Sequence, residues 1–335
     1  MSDDATPVRS EAELIETYLA PLAAGFAGAF GLKDDCAVAA PRAGHEFVFK
    51  TDAVAAGVHF LPDDAAGDIA WKALAVNLSD LAAKGAEPIG YLLSLSFPTA
   101  PTHGWMRRFA AGLADAQSAF AIQLMGGDTD RRPGPLTITP MVVGEIPRDT
   151  IPLRSAARAG QAILVSGSLG DAALGLALGR DPALAARLGL ADAEAASLRA
   201  RYLRPVPRLA LRDVVRGSAV AAMDLSDGLI KDLGRMCRAS GVGADLIEAQ
   251  LPRSPAFLKV ARHDPALAAR ALFAGDDYEV LLTLPAEAAA RAIAAAAAAG
   301  VAMAVIGTIT AAKGIRLLDG AGRELPLPAS GYDHF

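Results

Sequence analysis

Short apolar runs alternate along the chain with stretches whose apolar positions recur at helical spacing, a pattern that predicts layered α/β or α+β architecture. HEFVFKTDAV (45–54) predicts a strand running into a polar end, and DIAWKALAVNLSDLAAKGAEP (68–88) a helix stopped by Gly85 and Pro88. On that helix Asn77, Asp80 and Lys84 share a face, opposite a side rich in Ala and Leu. IGYLLSLSFP (89–98) and LTITPMVVGEI (136–146) predict further strands, with the amphipathic helix WMRRFAAGLADAQSAF between them. Over 147–160 the pattern loosens into Pro, Arg and Gly, which places a domain boundary there and divides the chain into 1–147 and 148–335. The second half reopens with strand, glycine-rich turn and helix in AILVSGSLGDAALGLAL (162–178), and AGDDYEVLLTLP (274–285) predicts another strand.

AAMDLSDGL (221–229) combines two patterns. Met223 and Leu225 alternate with Asp224 and Ser226 as on a strand, then Leu229, Leu233 and Met236 repeat as on one helix face. Asp227 reads as the N-cap of that helix; Asp224 has no such explanation.

Composition narrows the field. A chain of 335 residues with 53% hydrophobic and 21% charged residues is expected to fold into globular domains. A net charge of −5 argues against a nucleic-acid or anionic-membrane binder, although metal ions can supply the charge an acidic protein needs to bind phosphates. Cys36 and Cys237 form no CxxC pair, the histidines form no HExxH, and the N-terminus has no apolar signal core, so a cytoplasmic setting is expected. Residues 292–312 carry no charge, but Gly300 divides them into an Ala-rich helix and an alternating strand rather than a membrane span.

Candidate chemistry lies in the acidic residues that recur beside Gly, Ser or Thr. In order they are Asp34-Asp35, Thr51-Asp52, Ser79-Asp80, Gly126-Gly127-Asp128, Asp224 with Asp227, and Gly275-Asp276-Asp277. Most follow apolar runs where a strand would end, the place where α/β proteins build sites. Converging carboxylates repel unless cations lie between them, and Mg²⁺ prefers oxygen ligands and substrate phosphates. Singly, each has an ordinary reading: Asp35 and Asp52 as turn residues, Gly126-Gly127-Asp128 as a hairpin turn, His59 as a half-buried histidine. SGSLGD (166–171) has the form of a phosphate nest leading into a helix. No GxxxxGK[ST], kinase HRD/DFG pair or first-strand GxGxxG occurs.

DDCAV, TDAVAAGVHF, WKALAVNLSDLAAKGAEP, GGDTD, VSGSLGDAALGL, MDLSDGLIKDL, SGVGADL, GDDYEVLLTLP and the terminal GYDHF together resemble the bacterial thiamine-monophosphate kinases, in order and over nearly the whole chain. That family is related to aminoimidazole ribonucleotide synthetase, selenophosphate synthetase and a hydrogenase maturation protein. The resemblance implies a two-domain α/β fold of the aminoimidazole ribonucleotide synthetase type, with N-terminal strands forming a barrel across a homodimer interface. It implies ATP in a cleft between domains and subunits, and phosphorylation of thiamine monophosphate to thiamine diphosphate with several Mg²⁺ ions. By motif, Asp35, Thr51, Asp52, Asp80, Asp128, Asp224 and Asp227 fall on metal positions. Gly127, Asp128, Arg154 and Ser226 fall on ATP positions, and His59 and Asp276 on thiamine-phosphate positions. No side chain is implied as a general base or nucleophile; positioning and metal electrostatics supply the catalysis.

The chain departs from the pattern at Lys33 (usually Gly), Lys50 (often Ser or Thr), Asp130 (usually Thr), Asp276 (usually Glu) and Ala329 (often aromatic). The alternatives are a sister enzyme of the same fold and a silent nucleotide or thiamine-phosphate sensor. The first would call for an N-terminal or C-terminal reactive cysteine that this sequence does not show; the second would be free to lose the acidic positions that are all present.

Overall fold

A computed structural model describes residues 3–327; Ala329 and the GYDHF segment lie outside the described residues. The chain divides into two compact units, Met1–Leu81 with Ala86–Asp149, and Ala82–Gly85 with Thr150–Phe335.

In the first unit, β1 (His45–Thr51), β2 (Val54–Ala55), β3 (Glu87–Phe97), β4 (Gln123–Arg131) and β5 (Thr137–Pro147) form one sheet of order β1-β5-β3-β4, with β2 also on β5. β5 runs antiparallel to β1 and β3, whereas β3 and β4 are parallel. A parallel pair needs a crossover, here the helix His103–Phe120. Thr102 Oγ1 caps it by accepting from Trp105 N–H at 3.2 Å. Its Met106, Phe109, Leu113, Ala116 and Phe120 are buried at the spacing of one helix face. The helix Ala66–Ala83 buries Leu74, Leu78 and Leu81 completely.

That helix stops just before Gly85, the first of the two breakers in the sequence pattern. Gly85, at φ +68°, turns the chain, the Ala86 N–H bonds back to the Leu81 carbonyl, and Glu87 and Pro88 already belong to β3. Lys84 is the residue directly after the helix. Its Nζ donates to the carbonyls of Pro152 and Ala222, at 3.1 and 2.6 Å.

The second unit has a seven-stranded sheet of order β12-β11-β8-β10-β6-β9-β7. Its strands are β6 (Gln161–Ser166), β7 (Ala221–Leu225), β8 (Gly243–Ile247), β9 (Glu279–Pro285), β10 (Met303–Thr310), β11 (Gly314–Leu318) and β12 (Glu324–Leu325). β6 and β7 are buried at every position, because both faces of the sheet are covered. Ile163, Val165, Met223 and Leu281 pack into one core; Ala162, Leu164, Ala222 and Leu282 pack into the other. The Ala-rich segment forms the helix Ala289–Ala298, and Gly300 at φ +76° separates it from β10. Among the described residues no helix is long and apolar enough to cross a membrane, and neither sheet closes on itself.

A buried ion cluster anchors β9. The Glu279 carboxylate, fully inaccessible, accepts from Arg201 Nη2, Arg208 Nε and Ser166 Oγ, each at 2.6 Å. Burial pushes this carboxyl up, but Arg208, Arg201 and Ser166 outweigh burial and hold it below the ordinary glutamate value. The ion pair's contribution to stability is therefore complete above the unfolded glutamate pKa, about 4.3, and is lost as pH falls through the lower folded value. Arg208→Met leaves part of this buried charge uncompensated and should cost about 3 kcal/mol at pH 7. Denaturant unfolding should show that deficit shrinking below about pH 4; a deficit independent of pH would contradict the charge assignment.

Candidate functional site

In the first unit, expected site residues meet in two places. A cavity of about 700 Å³ is lined by Asp35, Thr51, Gly126, Gly127 and Asp128, with Phe47, Phe49 and Met141 on its apolar side. Phe47, Phe49 and Thr51 lie two apart on β1 and so share a sheet face. Thr51 Oγ1 donates to the Pro140 carbonyl at 2.9 Å, which ties the end of β1 to β5.

Asp52 follows directly, as the strand-end pattern predicts. Its N–H donates to Asn77 Oδ1 at 2.6 Å and its carbonyl accepts from Asn77 Nδ2 at 3.2 Å. Asn77 is itself fully buried on the helix Ala66–Ala83, so the NLSD segment fixes the backbone at the end of β1. One turn on, Asp80 meets Asp52 through Lys50, whose Nζ lies 2.9 Å from Asp52 Oδ2 and 3.0 Å from Asp80 Oδ2. Burial works against the lysine's charge, yet Asp80 and Asp52 together hold its pKa above the ordinary value, so it is an ammonium at neutral pH.

The GGD segment departs from its expected position. Gly126, Gly127 and Asp128 lie inside β4, where Asp128 pairs in register with Ser94, and not in a hairpin turn or at a strand end. A Cβ on Gly127 would stand 1.9 Å from the Leu93 carbonyl oxygen, so the close approach of β3 requires glycine there. His59 follows β2 and does not line the cavity. Its Nδ1 accepts from the Ala55 N–H at 3.1 Å, which puts the proton of the neutral ring on Nε2.

In the second unit, Asp224 is buried in β7 and Ser226, Asp227 and Gly228 form the loop that follows it. Asp227 does not cap the helix Leu229–Ser240. Gly228 holds the cap position at φ +109°, and the buried Asp232 reaches back so that its Oδ2 accepts from the N–H groups of Ser226, Asp227 and Gly228, at 3.0, 2.9 and 3.2 Å. The Asp227 carboxylate pairs with Arg235 at 2.5 Å.

The loop bearing Asp276 is fastened to the same segment. The N–H groups of Asp276 and Tyr278 donate to the carbonyls of Ser226 and Leu225, both at 2.8 Å, although each residue has positive φ, +73° and +51°. A Cβ on Gly275 would stand 2.3 Å from the Ser226 carbonyl oxygen, and one on Gly228 would stand 2.3 Å from that of Phe273. Tyr278 Oη donates to Asp276 Oδ1 at 3.0 Å. The two motifs thus form a single interlocked unit. Arg154 is exposed on the turn Arg154–Ala156, whose first carbonyl accepts from Ser240 Oγ at 3.0 Å.

SGSLGD is not an open phosphate nest. The Gly170 N–H donates to both oxygens of Asp277, each at 3.0 Å, and a Cβ on Gly167 would clash with Glu279 Oε1. Burial raises the Asp277 carboxyl well above the usual aspartate range, and the Gly170 N–H only partly offsets this. Sequence reasoning missed Asp232, Arg235 and Glu279, and singled out Asp277 only as one of the recurring acidic residues. The one local signal was the second aspartate of DGLIKD, a helical turn after the loop it holds.

The donors at the expected metal positions are all oxygens, carboxylate or hydroxyl, which suits Mg²⁺. Among the described residues no three His, Cys, Asp or Glu side chains are grouped closely enough to hold a metal ion. One or two carboxylates with substrate phosphates is the ligand set Mg²⁺ commonly takes, and the residues present fit it.

Comparison with known proteins places this arrangement in a family. Residues 33–146 match the model of the AIR synthase related protein, N-terminal domain, and residues 158–320 that of the C-terminal domain. The thiamine-monophosphate kinase of Escherichia coli (strain K12) is 41% identical over 309 residues, 91% of each chain. The crystal structure of thiamine-monophosphate kinase from Stenotrophomonas maltophilia K279a superposes with a TM-score of 0.78 at 38% identity, covering 85% of this chain and 89% of that one. AaThiL complexed with AMPPCP and TMP superposes with a TM-score of 0.74 at 29% identity, covering 92% and 97%. Motif order, two-unit architecture and similarity along both chains agree: this protein belongs to the thiamine-monophosphate kinase family, on the AIR synthase related fold.

Proposed function

We propose that the chain transfers the γ-phosphoryl group of ATP to thiamine monophosphate, giving ADP and thiamine diphosphate by direct in-line displacement. The observation that carries this reading is the cavity that gathers Asp35, Thr51, Gly127 and Asp128, in a chain 41% identical to an E. coli thiamine-monophosphate kinase. A relative that holds AMPPCP together with TMP supports the pairing of nucleotide and acceptor.

The acceptor is itself a phosphate, whose second pKa of about 6 leaves it largely ionised at pH 7. It therefore needs no general base, and the chain's task is to bring two polyanions into line. Mg²⁺, when bound, supplies charge neutralisation on the phosphates. Asp35, Thr51, Asp52, Asp80 and Asp128 in the first unit, and Asp224 and Asp227 in the second, would hold it. Arg154 would add positive charge to the nucleotide phosphates, and Ser226 and the backbone at Gly127 would contact them. His59, with its proton on Nε2, can donate a hydrogen bond to the thiamine phosphate. Asp276 would accept from the substrate on the arm that Tyr278 orients.

The same reading includes a homodimer in which the first unit's sheet closes into a barrel with the partner's. Phe49 is 61% exposed and packs edge to face with Phe47 at 5.7 Å, an aromatic face that such a partner would cover. A cytoplasmic setting suits the two free cysteines.

Purified protein incubated with ATP, Mg²⁺ and thiamine monophosphate should form thiamine diphosphate and ADP in equal amounts; nucleotide binding without product would sink the kinase reading. Asp80→Asn and Asp224→Asn should each lower kcat by about 10²-fold or more, with circular dichroism reporting an intact fold. Near wild-type turnover in both would remove the metal assignment.

A further inference from the structure

Lys50 leaves β1 on the face opposite Phe49 and Thr51, and its ammonium lies between two carboxylates from different elements. Asp52 comes from the residue after the strand, and Asp80 from the helix Ala66–Ala83. This is a held arrangement and not a loose surface pair. The side chains of Lys50 and Asp80 are only 27% and 22% exposed, and buried Asn77 grips both backbone groups of Asp52. Two carboxylates that share one cation are the setting in which a protein takes up a divalent ion; here the chain supplies a tethered monovalent one.

We propose that Lys50 is a resident cation that fills a divalent-ion position between Asp52 and Asp80, so that the substrate-free protein takes up fewer divalent ions than these carboxylates would otherwise accept. The inference rests on the metal role assigned above to Asp52 and Asp80. A tethered ammonium is present at high effective concentration at every metal concentration, whereas Mg²⁺ must shed tightly held water to compete for the same oxygens. A divalent ion entering between the two carboxylates has to displace Lys50 and break both of its ion pairs. A metal that arrives on the nucleotide phosphates brings ligands of its own and need not take the position Lys50 holds. Lys50 thus biases the site toward substrate-borne metal and away from metal bound in advance.

The test is equilibrium dialysis of the full chain against Mn²⁺, with free ion counted by electron paramagnetic resonance. Lys50→Met keeps the length and apolar stem of the side chain and removes its charge; Lys50→Arg keeps the charge. Lys50→Met should bind about one more Mn²⁺ per chain than wild type, or bind it about tenfold more tightly. Adding Asp80→Asn should abolish that gain, and Lys50→Arg should match wild type. In EDTA, Lys50→Met should melt below wild type and recover with added Mg²⁺, which also reports that the variant folds. Equal, non-zero Mn²⁺ binding by wild type and Lys50→Met would overturn this inference alone. No Mn²⁺ binding by either, with or without ATP, would overturn the metal reading and this inference with it.

Discussion

Unit charges about 4 Å apart near a protein surface interact by about 4 kcal/mol, and this chain repeatedly places carboxylates where other carboxylates lie close. Each group carries its own compensating base. Lys50 stands between Asp52 and Asp80, Arg235 pairs with Asp227, and Arg201 and Arg208 enclose Glu279. Asp52 is half exposed, so solvent weakens its share of the repulsion. Glu279 is wholly buried, and its partners are needed in full. These pairings fix the loops and strand ends that carry Asp52, Asp80 and Asp227.

The second constraint is steric. Gly127, Gly228 and Gly275 occupy points where the chain passes within van der Waals distance of another carbonyl, leaving no room for a Cβ. Positive φ at Asp276 and Tyr278 is strain of the kind that persists only where surroundings over-determine it. Here they do, since both N–H groups are bonded to the neighbouring loop. The acidic side chains of this unit are therefore presented by backbone with little freedom, and preorganisation of that kind is what phosphoryl transfer asks of a protein.

Much of this was legible in the sequence wherever the determining contacts are local. Apolar periodicity located the helices Ala66–Ala83, His103–Phe120 and Leu229–Ser240, the strand end before Asp52 and Asp224 at the end of β7. Motif order identified the family even though single motifs were ambiguous. What escaped depended on partners distant along the chain or on competition between groups. Gly126-Gly127-Asp128 reads as a turn until β3, more than thirty residues earlier, pairs with it. Asp227 reads as a cap until the turn shifts the cap position to Gly228 and Arg235 takes the carboxylate. Lys84 was legible on the Asp80 face, but not its bonds to the carbonyls of Pro152 and Ala222, far along the chain. Lys50 was visible as a departure, but nothing local showed that it would reach Asp80.

The three amides held by Asp232 have a further meaning. A helix start with unbonded N–H groups attracts any passing anion, and many nucleotide sites exploit that attraction. The amides that Asp232 holds belong to the loop just before the helix, Ser226 to Gly228, and a phosphate would have to evict Asp232 to bond them. Recognition at this loop is therefore electrically indirect: the backbone provides shape and the side chains provide charge. Such a division means that exchanging one side chain, such as Arg235 beside Asp227, changes the local charge while the main-chain framework stays the same.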